Sequence, residues 1–197
     1  MKKNLPNIVT LCNLTLGLIA IFHGLIQSNL ILCSWLIFTG IVLDSLDGKI
    51  ARFLKVESNY GKQLDSFADM VTFGIAPAVI VFKMIGEQNH NLSYIAFLIP
   101  IFSAIRLAKY NIDKKQGNYF IGLSTPVNAL LFGSLPLLDK FQSFEIINDL
   151  MSNVNFLIAL TIIFSSLLIS NLETFSLKLY DSNQFEKKLK IGFISVS

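Results

Sequence analysis

The sequence has few charged residues and few cysteines for its length of 197 residues. Charged residues make up 15%, against about 25% in an average soluble domain. Hydrophobic residues reach 53%, and the mean hydropathy is +0.60. So little charge cannot cover the surface of an ordinary soluble protein, which favours a chain embedded in lipid. The net charge of +3 is too small to indicate a nucleic-acid partner.

The two cysteines, Cys12 and Cys33, both lie in apolar runs, as is typical of small core or lipid-facing side chains. They form neither a disulfide framework nor a zinc-binding spacing. Two lysines near the N-terminus precede an apolar run, as in a signal peptide, but no small-residue cleavage site follows. We therefore expect this run to be a retained first membrane span.

Six segments approach the roughly 20 apolar residues that a helix needs to cross a bilayer. Nothing breaks the second helix at its polar end, so we expect it to continue to about Phe53. No repeat, low-complexity tract or linker interrupts the chain, so residues 1–175 are predicted to form one transmembrane domain. The predicted spans are about Ile8–Ile26, Leu30–Leu43, Phe67–Ile85, Leu92–Ala108, Leu123–Leu138 and Asn155–Leu172.

The basic residues fall almost entirely on one side of these spans. With a cytoplasmic N-terminus, every Lys and Arg except Lys83 and Lys140 lies in a cytoplasmic loop or tail, as the positive-inside rule requires. We predict an all-α integral membrane protein with six transmembrane helices and both termini in the cytoplasm. The tail, residues 176–197, is predicted to be either an interfacial helix or a disordered cytoplasmic end.

Four aspartates stand where the second and third spans meet the cytoplasm. Asp44 and Asp47 are three residues apart, and Asp65 and Asp69 are four apart, so each pair shares one helix face. A short turn joins the two helices, so the two pairs are expected to face each other.

Converging carboxylates need a proton or a cation, and their hard oxygens suit Mg²⁺, Mn²⁺ or Ca²⁺. Two such ions can clamp a phosphoryl group during in-line displacement. Gly48, Ala51 and Gly61 would let a ligand approach the backbone, and the planar fork of Arg52 suits phosphate oxygens. The alternative is that the aspartates are ordinary juxtamembrane charges, but ionisable residues beside a span favour function.

The order and spacing of these residues resemble the signature of the CDP-alcohol phosphatidyltransferase family. Members are integral membrane enzymes with a six-helix core, which move a phosphatidyl group from a CDP-linked lipid to an alcohol and release CMP. The matching run is Asp44-x2-Asp47-Gly48-x2-Ala51-Arg52-x8-Gly61-x3-Asp65-x3-Asp69.

The resemblance implies a role for each matching position. The four aspartates would bind the metal, expected to be two ions of Mn²⁺ or Mg²⁺, and Asp69 would also be the general base. Contacts to the nucleotide and its phosphates would come from five positions, Gly48, Ala51, Arg52, Ser58 and Gly61.

More of the chain is similar to one branch, the phosphatidylserine synthases. That branch implies CDP-diacylglycerol and L-serine as substrates, a homodimer, and a multi-pass protein of a bacterial cell membrane with its active site facing the cytoplasm. Ser124 departs from the pattern, since the branch usually has proline there. The similar stretches are Asn4–Asn7 with Thr10, Asn13 and Gly17, then Asp65–Pro77, Arg106–Asn111 and Phe120–Pro126.

Polar residues outside the signature are further candidates. Thr10 and Asn13 share one side of the first helix and would either contact the cytidine or ribose or form interhelical hydrogen bonds. Arg106, with Lys109 and Asn111, ends the fourth span and would bind the acceptor carboxylate or a lipid phosphate. Its alternative role is simple anchoring at the membrane surface.

Other functions remain open at this point. Glycerol 3-phosphate, inositol or inositol phosphate could replace serine as the acceptor without changing the chemistry. A divalent-cation transporter would also use carboxylates, but such sites usually lie near the bilayer midplane. A non-catalytic membrane scaffold gives no reason for paired carboxylates.

Overall fold

The structure is a computed structural model of the chain, and it describes residues 4–112, 120–141, 149–170 and 173–174. The described chain is helical apart from one antiparallel pair, β1 (Phe120–Ile121) with β2 (Glu173–Thr174). The tail 176–197 lies outside the described residues, as do Lys2, Lys3, Lys114 and Lys115 of the predicted cytoplasmic side. The helices are α1 (Leu5–Leu25), α2 (Leu30–Leu54), α3 (Asn59–Asp69), a π-helical segment (Met70–Ile75), α4 (Ala76–Gly86), a 3-10 segment (Leu92–Phe97), α5 (Leu98–Ile112), α6 (Thr125–Phe141) and α7 (Val154–Ile169).

Four helical stretches are long and apolar enough to cross a membrane. They are α1, α2, the continuous run Asn59–Gly86 and the run Leu92–Ile112. Helices α6 and α7 overlap the other two predicted spans but have only 17 and 16 residues. The all-helical membrane architecture agrees with the prediction, whereas six spans and the orientation of the termini stay predictions.

The turn between α2 and α3 is fixed by local backbone chemistry. Helix α2 continues to Leu54, close to the predicted Phe53, and Lys55 then ends it in the left-handed conformation, with φ of 54°. Ser58 caps α3 by accepting a hydrogen bond from the Gly61 backbone N–H at 3.0 Å. These residues reverse the chain within a few positions, so α2 and α3 run antiparallel.

The run Asn59–Gly86 lies at the centre of the bundle. Of its most apolar window 72% is buried, against 28% for each of α1 and α2. Phe73 and Ile80 are fully buried in the core it forms with Phe132 of α6. Large apolar side chains stay exposed on the outer helices, as expected of surface that faces lipid.

Candidate active site

The four aspartates come together where α2 and α3 face each other. One carboxylate oxygen from each of Asp44, Asp47 and Asp65 lies within 4.8 Å of the others. The Asp44 carboxyl also lies close to those of Asp65 and Asp69. The two pairs predicted from the sequence therefore form one cluster.

The cluster is largely shielded from solvent. Asp47 is 5% exposed and Asp69 is 8% exposed. One oxygen of Asp65 and one of Asp69 are buried without a hydrogen-bond partner. Buried carboxylates at this distance repel one another unless a proton or a cation lies between them. Their hard, unpartnered oxygens fit Mg²⁺ or Mn²⁺ as ligands.

Helix α1 reaches the cluster through Thr10. Its hydroxyl donates to Asp47 Oδ2 at 2.6 Å and also lies 3.1 Å from the Pro6 carbonyl. Asn13 lies one turn deeper, fully buried, and its side-chain oxygen packs against Gly40 of α2. Thr10 therefore makes the interhelical bond that was one of its two predicted roles. Nucleotide contact by either residue stays a prediction.

The predicted phosphate-binding residues surround the turn after the first aspartate pair. A Cβ at Gly48 would lie only 3.7 Å from Arg52 Nη1, so the Arg52 guanidinium folds back over Gly48. Both Arg52 and Ser58 are exposed, and Ala51 is half-buried. The structure therefore places a guanidinium beside the backbone that carries Asp47.

Gly61 has a packing role in addition to its predicted role in nucleotide binding. A Cβ there would lie 3.1 Å from Asn7 Oδ1 and 3.2 Å from Ser58 Oγ, both tighter than ordinary contacts. A side chain at this position would require the Asn7 and Ser58 side chains to shift by a few tenths of an ångström. Glycine thus leaves room for these two side chains, and its contact with a nucleotide stays a prediction.

Helix α5 borders the cluster with a second cation. Arg106 is half-buried, its charge interacts with that of Asp69, and its Nε is buried without a hydrogen-bond partner. Asn111 donates to Ser66 Oγ at 2.9 Å and to Gln63 Oε1 at 3.4 Å, which ties α5 to α3. Lys109 is exposed. Of the three predicted acceptor residues, Arg106 is a half-buried cation whose charge interacts with Asp69, whereas Lys109 is exposed and Asn111 bonds to α3.

The loop before α6 docks on the end of α7. Gly122 has φ of +77°, and a Cβ there would lie 2.9 Å from the Leu168 carbonyl oxygen. The Leu123 N–H donates to the Leu167 carbonyl at 3.0 Å. Ser124, where proline was expected, accepts a hydrogen bond from Asn128 N–H through its carbonyl oxygen. The turn therefore forms without that proline.

Sequence reasoning missed three features of the site. Asn7 and Ser66 lie in the similar stretches but were given no role. Asn7 lies beside Gly61, and Ser66 accepts a hydrogen bond from Asn111. Asn7 was detectable because it shares a face with Thr10. The π-helical segment after Asp69, where the Ala76 N–H bonds to the Val71 carbonyl, has no sequence pattern that would have revealed it.

Residues 3–150 match the sequence profile of the CDP-alcohol phosphatidyltransferase family. With this match, four helices of membrane-spanning length and the aspartate cluster at the signature positions, the chain belongs to that family.

Individual relatives narrow the comparison to one kind of family member. A CDP-diacylglycerol–serine O-phosphatidyltransferase of Helicobacter pylori is 35% identical over 142 residues, covering 71% of this chain and 60% of the relative. The Bacillus subtilis protein of the same name is 38% identical, covering 62% of this chain and 69% of the relative. The Methanocaldococcus jannaschii protein is also 38% identical, covering 62% and 55%. The match to the Helicobacter protein thus spans less than two thirds of its length.

Proposed function

We propose that the chain transfers the phosphatidyl group of CDP-diacylglycerol to the hydroxyl of L-serine, giving phosphatidylserine and CMP. The observation that carries this proposal is the convergence of four aspartates from two antiparallel helices. Their largely buried oxygens form an arrangement suited to neutralising a diphosphate. Family membership and the names of the relatives support the same reaction.

The four aspartates are the proposed ligands of two Mn²⁺ or Mg²⁺ ions. When bound, such ions neutralise the diphosphate and polarise the phosphoryl group. The unpartnered oxygens of Asp65 and Asp69 support this assignment because they have no protein donor to satisfy them. The Arg52 guanidinium, beside Gly48, is the proposed partner of the donor phosphates.

Asp69 is the proposed general base. It would take the proton from the serine hydroxyl while that oxygen bonds to the lipid-side phosphorus and the bond from phosphorus to CMP breaks. Its deep burial supports this role, because a carboxylate screened from water is a stronger base toward a bound hydroxyl. Such help is typically worth about 10²–10⁴-fold in rate.

Arg106 is the proposed contact for the serine carboxylate. A charge-assisted hydrogen bond contributes roughly 1.5–3 kcal/mol, so Arg106→Gln should raise the KM for serine by roughly ten- to a hundredfold. Lys109→Gln, on the exposed side of α5, should have a much smaller effect. The measurement is the serine dependence of CMP release. An unchanged serine KM in Arg106→Gln would remove this assignment.

The arrangement in the membrane is also proposed. Six spans with both termini in the cytoplasm would place the aspartates at the cytoplasmic face of a bacterial cell membrane, where the donor lipid is reached from the inner leaflet. The side on which the basic residues fall supports this orientation. A homodimer is the expected assembly.

Two alternative functions would use the same aspartates but fit the neighbouring residues less well. Glycerol 3-phosphate or inositol as acceptor would use the same aspartates, although a phosphate acceptor would want a denser basic pocket than Arg106 alone. A divalent-cation transporter would also use the carboxylates, but the neighbouring Arg106 opposes cation passage.

One assay separates these functions. Purified protein in detergent receives CDP-diacylglycerol and Mn²⁺ or Mg²⁺, and CMP release is measured with serine, glycerol 3-phosphate or inositol. Release with serine alone supports the proposal, and release with another acceptor reassigns the substrate. No release from folded protein, together with cation uptake in vesicles, would point to transport.

A further inference from the structure

The helical run Asn59–Gly86 changes its winding directly after Asp69. Residues Met70–Ile75 form a π-helical turn, which accommodates one more residue per turn than the α-helix on either side. The direction in which Asp69 projects therefore depends on what holds this wider turn in place. Backbone hydrogen bonding alone does not favour a π turn, because an α-helical continuation would satisfy the same backbone groups. Side-chain contacts must therefore stabilise it.

Thr72 lies inside the π turn and contacts both neighbouring helices. It is fully buried, and its hydroxyl donates to the Asn13 carbonyl of α1 at 3.0 Å. A Cβ at Gly40 of α2 would lie 2.6 Å from Thr72 Cγ2, and one at Gly17 of α1 would lie 2.9 Å from Thr72 Cα. Thr72 thus fits between two glycines, and neither helix can approach it with a larger residue.

The same face of α1 holds the other half of the aspartate cluster. Thr10, one turn before Asn13, donates to Asp47 Oδ2. Helix α1 is therefore bonded through one turn to Asp47 on α2 and to Thr72, three residues after Asp69. These two bonds connect α1 to Asp47 on one side of the cluster and to the π turn beside Asp69 on the other.

We propose that Thr72 is a positioning residue, which fixes the π turn against α1 and thereby sets Asp69 at the distance from Asp44 that metal binding requires. The inference rests on the proposed function for its effect on turnover, but its effect on metal binding is independent of which acceptor the enzyme uses. Residues that orient metal ligands typically change metal affinity or activity by about 10–100-fold when replaced.

The test compares Thr72→Val, which keeps the shape and loses the hydroxyl, with Thr72→Ser, which keeps the hydroxyl. Thr161→Val is the matched control, because Thr161 is equally buried but donates only to the Leu157 carbonyl of its own helix, at 2.7 Å. Mn²⁺ affinity is measured by electron paramagnetic resonance on detergent-solubilised protein without substrates. Thermal unfolding of each variant establishes that it is folded.

Thr72→Val should bind Mn²⁺ about tenfold more weakly, with Thr72→Ser and Thr161→Val close to the unsubstituted protein. In the CMP assay Thr72→Val should lower kcat with little change in the KM for CDP-diacylglycerol. Unchanged Mn²⁺ affinity in Thr72→Val, or an equal loss in Thr161→Val, would overturn the inference. If the unsubstituted protein released no CMP, the proposed function would fail, while the Mn²⁺ comparison would still decide the role of Thr72.

Discussion

The two ends of the helical bundle differ in how their polar groups are hydrogen-bonded. At the carboxylate end, which contains the four aspartates, buried atoms of Asp65, Asp69, Arg106 and Asn111 lack hydrogen-bond partners. Elsewhere in the described helices, buried side-chain atoms of Asn13, Ser103, Asn128 and Ser165 also lack them. At the opposite end, formed by the turns 26–29 and 87–91, polar groups are bonded locally. There His23 Nδ1 lies 2.6 Å from Gln27 Oε1, and Asn89 Oδ1 accepts from the backbone N–H of Asn91 and Leu92.

Aromatic packing adds to the contrast. At the opposite end Phe82 and Phe97 stack with ring centroids 6.0 Å apart, and Tyr94 and His90 pack edge-on against Phe82. Buried polar groups are normally satisfied because leaving one unpaired is costly. At the carboxylate end that cost falls on charged oxygens, which are the atoms that a bound cation would satisfy.

The largest expected difference between the two ends is in activity, when one carboxylate at each end is neutralised. Asp69→Asn should lower CMP release by about 10²–10⁴-fold, because it removes the general base. Asp139→Asn, at an exposed position of α6 near the opposite end, is the matched control and should be near normal. Turnover is measured on protein whose thermal unfolding shows that it is folded. A variant of Asp69 with most of its activity would refute the base assignment.

Metal removal should affect stability at the carboxylate end. Chelation should abolish turnover and lower the unfolding temperature, because a metal at a hundredfold excess over its Kd stabilises the folded state by about 2.7 kcal/mol. Without metal, Asp44→Asn should unfold at a higher temperature than the unsubstituted protein, since it relieves carboxylate repulsion. Melting curves with and without chelator check both. A metal-free Asp44→Asn protein less stable than its parent would contradict the repulsion argument.

Glycine-to-alanine substitutions should also affect stability differently near the π turn and at the opposite end. Gly40→Ala should destabilise the protein by roughly 1–3 kcal/mol, because its Cβ would meet Thr72 Cγ2 at 2.6 Å and Asn13 Oδ1 at 2.8 Å. Gly86→Ala should be neutral or slightly stabilising, since its Cβ would meet Ser93 Cβ at an ordinary 3.6 Å. Thermal unfolding gives the comparison. Equal unfolding temperatures for Gly40→Ala and Gly86→Ala would mean that α2 can move away from the π turn.

The smallest effect is expected from the aromatic cluster. His90→Ala should cost about 0.5–1.5 kcal/mol through lost ring contacts with Phe82 and Tyr94. CMP release should be unchanged, because His90 lies at the opposite end from the aspartates. Steady-state kinetics and melting curves test this. A large loss of activity in His90→Ala at normal stability would show that the opposite end also contributes to activity.

Much of the site could be predicted because helices have a fixed period. Spacings of three and four residues place each aspartate pair on one face, and the short turn after Leu54 brings the faces together. The same reasoning placed Thr10 and Asn13 on one side of α1. Which of their two roles applies depends on the neighbouring helix, and the Thr10 bond to Asp47 became visible only in the folded bundle.

The sequence by itself determined the membrane character, the helical class and the carboxylate chemistry, because these depend on hydropathy, on periodicity within single helices and on ligand type. The tertiary structure decided what depends on contacts between helices distant along the chain. Three contacts belong to this group: Thr72 between Gly17 and Gly40, the π turn that Thr72 occupies, and the interaction of the Arg106 charge with Asp69. A residue's own neighbours in sequence cannot specify such contacts, since they arise only when separate helices pack together.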